Sequence, residues 1–259
     1  MRKYIFILLF VPFFSFSQTQ ECATVPTQSQ IDYLTQTRSA RENWNGPEMI
    51  ISLPVQHHIV RETNGTGGLD PNDIPIIMGI MNTYYANANI SFFDCGTINY
   101  IDNSSYYNFD QSQESAVCGA NDVANVINIY YFNSVGNGSS SYCGYAYYPG
   151  GPDRVIMDNS CALNGSTLTH ELGHYLSLYH THNGSTGSNP ELVNGSNCTT
   201  AGDQLCDTPA DPTLSTSTVN TSCVYTGTAT DPNGQAYVPD PTNIMSYSRK
   251  SCRTFLSTG

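Results

Sequence analysis

The chain has 259 residues, the length of one ordinary domain or two small ones. Hydrophobic residues make up 39% and charged residues 12%, which is too apolar and too weakly charged for a disordered polar tail. The net charge is −12, and two of the nine basic residues, Arg2 and Lys3, sit in the first three positions. What remains offers no electrostatic footprint for nucleic acid or for an anionic membrane surface.

Arg2 and Lys3 precede an apolar run, Tyr4 to Phe14, followed by Ser15-Phe16-Ser17 with small residues where a signal peptidase reads. The run is shorter than the ~20 residues that span a bilayer. A signal peptide over 1–17 is predicted, hence a secreted chain with no membrane span. Residues 18–44 are polar, with one short helical piece at Ile31 to Arg38, and are expected to be a propeptide preceding a folded domain over 45–259. Ile51, Leu53, Val55, His57 and Ile59 alternate as in a strand. Ile74, Ile77, Met78 and Met81 share one face of a helix predicted over about 72–87, with Pro75 near its start. Ile90 to Phe93, Ile98 to Ile101, Val123 to Phe132, Tyr145 to Tyr148 and Arg154 to Met157 read as strands. A helix is predicted from about Ser166 to Leu178, and the rest is rich in turn signals. Strand, helix, several strands, helix and coil together indicate an α+β fold. His57 and His58, on opposite faces of the first strand, read as structural.

Nine cysteines in an exported chain pair in part and leave at least one over. They are widely spaced with no CxxC, which argues against a cysteine-held structural zinc. On proximity alone, Cys143 pairs with Cys161 and Cys95 with Cys118.

The second long helix contains His170-Glu171-Leu172-Gly173-His174. Residues four apart lie on one face, so His170 and His174 can aim two imidazole nitrogens at one ion. Glu171 beside them can reach a water on that ion as general base. His180 follows six residues later, and to reach the same ion the helix must end between them. Three histidines and a water make the open site of a catalytic zinc. His182 is a fallback ligand.

This stretch resembles the metzincin signature HExxHxxGxxH, with Ser177 where the family has glycine. Asn243-Ile244-Met245-Ser246-Tyr247 looks like its methionine turn. Gly202-Asp203…Asp207-Thr208-Pro209, Gly144-Tyr145-Ala146 and Pro149-Gly150 bring the likeness to the pappalysin (cytophagalysin-like) family, from about Ile51 to the end. The resemblance implies a zincin/metzincin fold. A twisted mixed sheet, a backing helix and an active-site helix form an upper subdomain (45–180) above an irregular lower one (181–259). It implies a secreted zinc endopeptidase acting on proteins or peptides through a zinc-bound water. His170, His174 and His180 would hold the zinc, Glu171 would be the base, Tyr247 would stabilise the tetrahedral intermediate and Met245 would lie under the site. It also implies calcium on Glu191, Asp203 and Thr208, and disulfides Cys198–Cys223 and Cys206–Cys252. The family's arginine preference rests on an acid just before the last of these cysteines. Arg249-Lys250-Ser251 holds none, so that preference is not carried over. Family members continue into a C-terminal helix, and a chain that stops at Leu256-Ser257-Thr258-Gly259 is expected to be a fragment.

Cys22, left over in the 18–44 segment, is a candidate latency switch: a thiolate there would fill the open zinc position until cleavage near Arg38 or Arg41 releases it. The competing function is a catalytically silent, calcium-stabilised binding or adhesion module on the same scaffold, and a non-proteolytic zinc hydrolase is a third.

Overall fold

The computed structural model describes residues 20–42 and 50–257. The expected signal peptide lies outside the described residues, as does the boundary at 45. In chain order the main elements are β1 (Gln20–Cys22), α1 (Gln28–Glu42), β2 (Ile51–Arg61), α2 (Ile74–Tyr85), β3 (Ile90–Asp94) and β4 (Asn99–Asp102). Next come α3 (Ser104–Tyr107), β5 (Asn108–Asp110), α4 (Glu114–Val117), β6 (Ile127–Phe132) and β7 (Ser134–Gly136). β8 (Ser141–Ala146), β9 (Arg154–Asp158) and α5 (Thr167–Tyr175) complete the set.

The strands form one sheet in the order β3-β2-β6-β9-β8-β7-β5, with β4 also on β2 and β1 on β8. Pairing is parallel except where β8 meets β7 and β9. The fold is therefore α+β with a mixed sheet. β6 reads Ile127-Asn128-Ile129-Tyr130-Tyr131-Phe132, and all six are buried. Period-2 alternation sends Ile127, Ile129 and Tyr131 into the core under α2 and α5, and Tyr130 and Phe132 into a second core on the other face. Pro54 is tolerated in β2 because β6 begins pairing only at Val55.

The helix predicted over 72–87 resolves into α2 flanked by single 3-10 turns. Asp70 caps the first through Asn72 N–H at 2.9 Å, and Asn89 ends the second in the left-handed conformation, φ 55°. Tyr85 packs edge-on against Phe92 of β3 and ties its hydroxyl to the Thr169 carbonyl of α5. α2 thereby braces α5 against the sheet. His57 bonds Tyr131 and Asp94, and His58 stacks on Tyr130 and bonds Asn128. Both sit in the two cores, on opposite faces of β2.

Two expectations need correction. The 18–44 segment is more than polar tail: β1 joins the sheet, Cys22, Thr24, Gln30 and Leu34 are buried, and α1 runs well beyond the short piece predicted. Its start is set by a reciprocal cap, in which Gln30 accepts from Thr27 N–H at 2.8 Å and Thr27 Oγ1 accepts from Gln30 N–H at 3.4 Å. Three of the four expected cysteine pairings also differ. Cys143 joins Cys161, but Cys198 joins Cys206 and Cys223 joins Cys252, in place of Cys198–Cys223 and Cys206–Cys252. The turns at 195–206 bring the first pair's Cα atoms to 5.1 Å, so the nearer partner in sequence is also the nearer in space. Cys95 is exposed at the end of β3, whereas Cys118 is buried beneath Tyr130, and the two are not bonded.

Candidate active site

α5 starts where Asn164 accepts from the backbone N–H groups of Ser166 and Thr167, and it lies against β8 and β9. It ends abruptly. Leu178 N–H bonds Gly173 carbonyl and Ser177 N–H bonds His174 carbonyl, with Ser177 at φ 87°. This is the Schellman stop, with serine in the left-handed position that glycine usually fills. The reversal turns the chain back, so that His180 faces the helix it has just left.

The three Nε2 atoms converge. His170 to His174 is 3.2 Å, His174 to His180 is 3.0 Å and His170 to His180 is 3.1 Å. His170 Nδ1–H donates to the Ile244 carbonyl at 2.7 Å, and His174 Nδ1–H donates to the Leu178 carbonyl at 2.8 Å. These bonds fix the tautomer and leave the Nε2 lone pairs facing one point. Burial and mutual repulsion hold all three imidazoles neutral: His174 is lowered to about 4, and His170 and His180 well below their ordinary value. Three facing lone pairs repel unless a cation lies among them. A tetrahedral ion with bonds of about 2.0–2.1 Å has ligand–ligand edges of roughly 3.3 Å, so the donor set fits zinc. His182 stays outside the cluster, stacked on His180 with ring centres 4.9 Å apart.

Cys22 completes the group, and one donor atom from each of Cys22, His170, His174 and His180 lies within 4.8 Å of every other. β1 carries it there by pairing in parallel with β8, Cys22 opposite Gly144. A Cβ at 144 would crowd Ile156 O at 2.7 Å and Glu171 Cγ at 3.4 Å, so glycine lets the strand and α5 approach. The Cys22 thiol lies 3.4 Å from Glu171 Oε2, and burial with that carboxylate raises its pKa well above normal. A metal ion would reverse that effect.

Tyr247 packs its ring on His180, His182 and His170, with centres 4.7, 4.5 and 6.1 Å apart. Met245 is buried beneath α5, close against Gly173. In the coil region Glu191, Asp203 and Asp211 are buried and interact electrostatically, and among the described residues Glu191 Oε2 has no hydrogen-bond partner. Burial and this crowding push Glu191 up to about 8 and Asp203 to about 6. Thr208 donates to both Asp203 oxygens. Only glycine fits at 202, where a Cβ would collide with the Glu191 carboxylate. Asp211 is satisfied separately by Thr181, Thr213 and Leu214. A bare carboxylate oxygen aimed into an acidic cradle suits a hard cation such as calcium.

Sequence reasoning missed four contacts. Thr24 Oγ1 donates to Glu171 Oε2 at 3.0 Å and accepts from Ala146 N–H at 2.8 Å. Its position two residues after Cys22, where an extended backbone would return to the same face, was the available signal. The Tyr148 hydroxyl lies 3.0 Å from His174 Nδ1, and the Tyr148 carbonyl accepts from Gln30 at 3.0 Å. Nothing in the sequence marked either.

A profile of the Peptidase_M43 family, described as pregnancy-associated plasma protein-A, matches residues 110–256, more than half of the chain. Among curated proteins, an extracellular metalloprotease of Colletotrichum graminicola is 28% identical over 221 residues, covering 78% of this chain and 70% of its own. Another, from Arthroderma gypseum, is 23% identical over 261 residues, covering 93% and 80%. Among solved structures, a point mutant of promirolysin from Tannerella forsythia shares the fold, with a TM-score of 0.61 and 18% identity over 93% of this chain and 91% of its own. With the matched profile spanning β5 to the final turn and enclosing the histidine cluster, the chain belongs to the Peptidase_M43, or pappalysin, family of metallopeptidases.

Proposed function

We propose that this protein is a secreted zinc endopeptidase made as a latent precursor. The observation that carries the reading is the convergence of three neutral imidazoles and one thiol on a single point beside Glu171. A zinc ion held by His170, His174 and His180 would supply Lewis acidity, lowering the pKa of a water and polarising the scissile carbonyl. Glu171 takes the water's proton and delivers it to the leaving amine. Tyr247, lying over His180, donates its hydroxyl to the developing oxyanion. Met245 supports the site from below. Glu191 and Asp203, with Thr208 beside them, would hold calcium, which would stiffen the coil region. The extracellular names of the relatives and the disulfides favour export.

In the precursor, Cys22 would be a further ligand to that zinc beside the three histidines, and Thr24, hydrogen-bonded to Glu171, caps the base. Cleavage near Arg38 or Arg41, followed by loss of the segment, uncovers both. The test uses the exported chain, quenched peptides and a zinc chelator, beside Glu171→Ala and Cys22→Ala. Expected are one zinc per chain, slow maturation that Cys22→Ala hastens, and chelator-sensitive cleavage absent from Glu171→Ala. A chain that binds zinc and matures yet cuts nothing would sink the peptidase reading in favour of a silent module. Latency unchanged by Cys22→Ala would remove the switch alone.

A further inference from the structure

The edge of β8 runs past the histidines into a turn that the 18–44 segment also covers. Residues two apart on a strand direct their carbonyls to the same side, and Gly144, Ala146 and Tyr148 turn theirs toward that segment. Gly144 O takes the backbone N–H of Ala23 at 3.1 Å, Ala146 O takes the Thr24 hydroxyl at 3.2 Å and Tyr148 O takes the Gln30 carboxamide at 3.0 Å. Only the first of these is main-chain pairing. Beyond it, side chains stand in for a strand, and the last of them fills a site of its own.

Tyr148-Pro149-Gly150-Gly151 closes as a β-turn. Gly151 N–H donates back to Tyr148 O at 3.0 Å, Pro149 presets the first corner and Gly150 has φ 91°. The turn therefore holds the carbonyl fixed while it also accepts from Gln30. Gly151 leaves the room: a Cβ there would stand 2.8 Å from Gln30 Nε2. Gln30 is only 5% exposed, and its Oε1 accepts from Thr27 N–H, so the carboxamide gives and takes at once. A carbonyl can only accept. A carboxylate brings it no proton, and an ammonium finds no charge there to replace its water, whereas a carboxamide donates without either cost.

We infer that in the matured enzyme this turn is a subsite for the side-chain carboxamide of Gln on substrate peptides. This rests on the peptidase reading above. Gly144 lies level with Cys22 and the histidines. A peptide strand on the same edge reaches Tyr148 four residues further along, about 13 Å away. At the position it places there, kcat/KM should be about tenfold higher for Gln than for Glu, and several-fold higher than for Met, which has nearly the same shape and no donor.

The full chain, matured by its own processing or by limited trypsin cleavage and separated from the cut segment, is profiled on quenched peptides carrying Gln, Glu or Met at one position at a time. The Gln preference is expected at a single position. The same exchanges elsewhere on the peptide, which feel only the net charge of −12, are the control. Gly151→Ala should flatten the preference while peptides without Gln are still cut, and if that variant does not fold the wild-type comparison decides. Gln and Glu peptides cut alike at every position overturn the subsite and leave the peptidase intact. A second measurement needs no cleavage: a fluorescent peptide of residues 20–37 and its Gln30→Glu counterpart are titrated into the same matured chain. Gln30→Glu keeps the acceptor for Thr27 N–H and removes only the donor to Tyr148. About tenfold weaker binding of the counterpart keeps the site even if no peptide is cut, and equal binding removes it.

Discussion

Gly173 separates Leu172 from His174 in the last turn of α5, and a glycine inside a helix normally costs about 0.5–1 kcal/mol relative to alanine. The structure explains why it is there. A Cβ at 173 would press on Met245 Sδ and stand 3.0 Å from its Cε, well inside ordinary van der Waals contact, while Tyr85 Oη at 3.6 Å would be unaffected. Met245 is buried and its backbone N–H is held by Asn243, so only its side chain can yield. Overpacking of this kind costs about 1–3 kcal/mol. Set against the gain in helix propensity, Gly173→Ala should destabilise by about 0.5–2 kcal/mol. In a Met245→Ala background, where the obstacle is gone, the same change should stabilise by about 0.5–1 kcal/mol. The coupling between the two sites is then about 1–3 kcal/mol, measurable in a double-mutant cycle by urea denaturation of the zinc-loaded full chain carrying Glu171→Ala to stop self-cleavage. Strain on Met245 should also reach the Ile244 carbonyl that orients His170, so zinc affinity should fall in Gly173→Ala and recover in the double variant. An equal effect of Gly173→Ala in both backgrounds would refute the reasoning.

Further predictions concern the helix stop, the second metal and the support of His174. Ser177→Gly should stabilise by about 0.5–1 kcal/mol by relieving the left-handed serine, and the β-branched Ser177→Val should lower the melting temperature. With Glu191 raised to about 8 and Asp203 to about 6, the folded state binds more protons than the unfolded one above the ordinary carboxyl range. Calcium-free protein should therefore lose stability as pH rises from about 4.5 to 8. Added calcium should raise the melting temperature more at pH 8 than at pH 5. A gain of the same size at both pH values, or one retained in Glu191→Gln, would count against a cation in that cradle. Tyr148→Phe removes one of two acceptors from His174 Nδ1–H and leaves Leu178. Zinc affinity of the matured chain should drop several-fold in a chelator competition, short of the roughly 10–100-fold expected for a sole partner. No drop would show that Leu178 alone orients the ring.

Much of this was legible in the chain because periodicity survives burial. The alternation in β2, the helical face of α2 and the spacing of His170 and His174 each follow from local geometry. Ser177 was legible only halfway. The sequence required the helix to break there, and the Schellman bonds of Leu178 and Ser177 are what bring His180 home without a glycine. The coil region was not legible in the same way. Its disulfide partners depend on turns with no repeating pattern, and four cysteines permit three pairings. The burial of Thr24 and Gln30 was hidden because the partners that cover them, Ala146 and Tyr148, lie over a hundred residues away.

Gln30's bond to the Tyr148 carbonyl has a kinetic consequence. It pins the 18–44 segment a second time, eight residues from Cys22, so that Cys22 acts as a tethered ligand. A flexible span of that length keeps its ends within roughly 15 Å, which corresponds to an effective concentration in the millimolar range or above. Cleavage at Arg38 or Arg41 severs neither anchor. The cut segment would remain as a two-point inhibitor until both contacts let go together, so peptide-bond cleavage and the onset of activity should be separate events in time, with dilution hastening only the second.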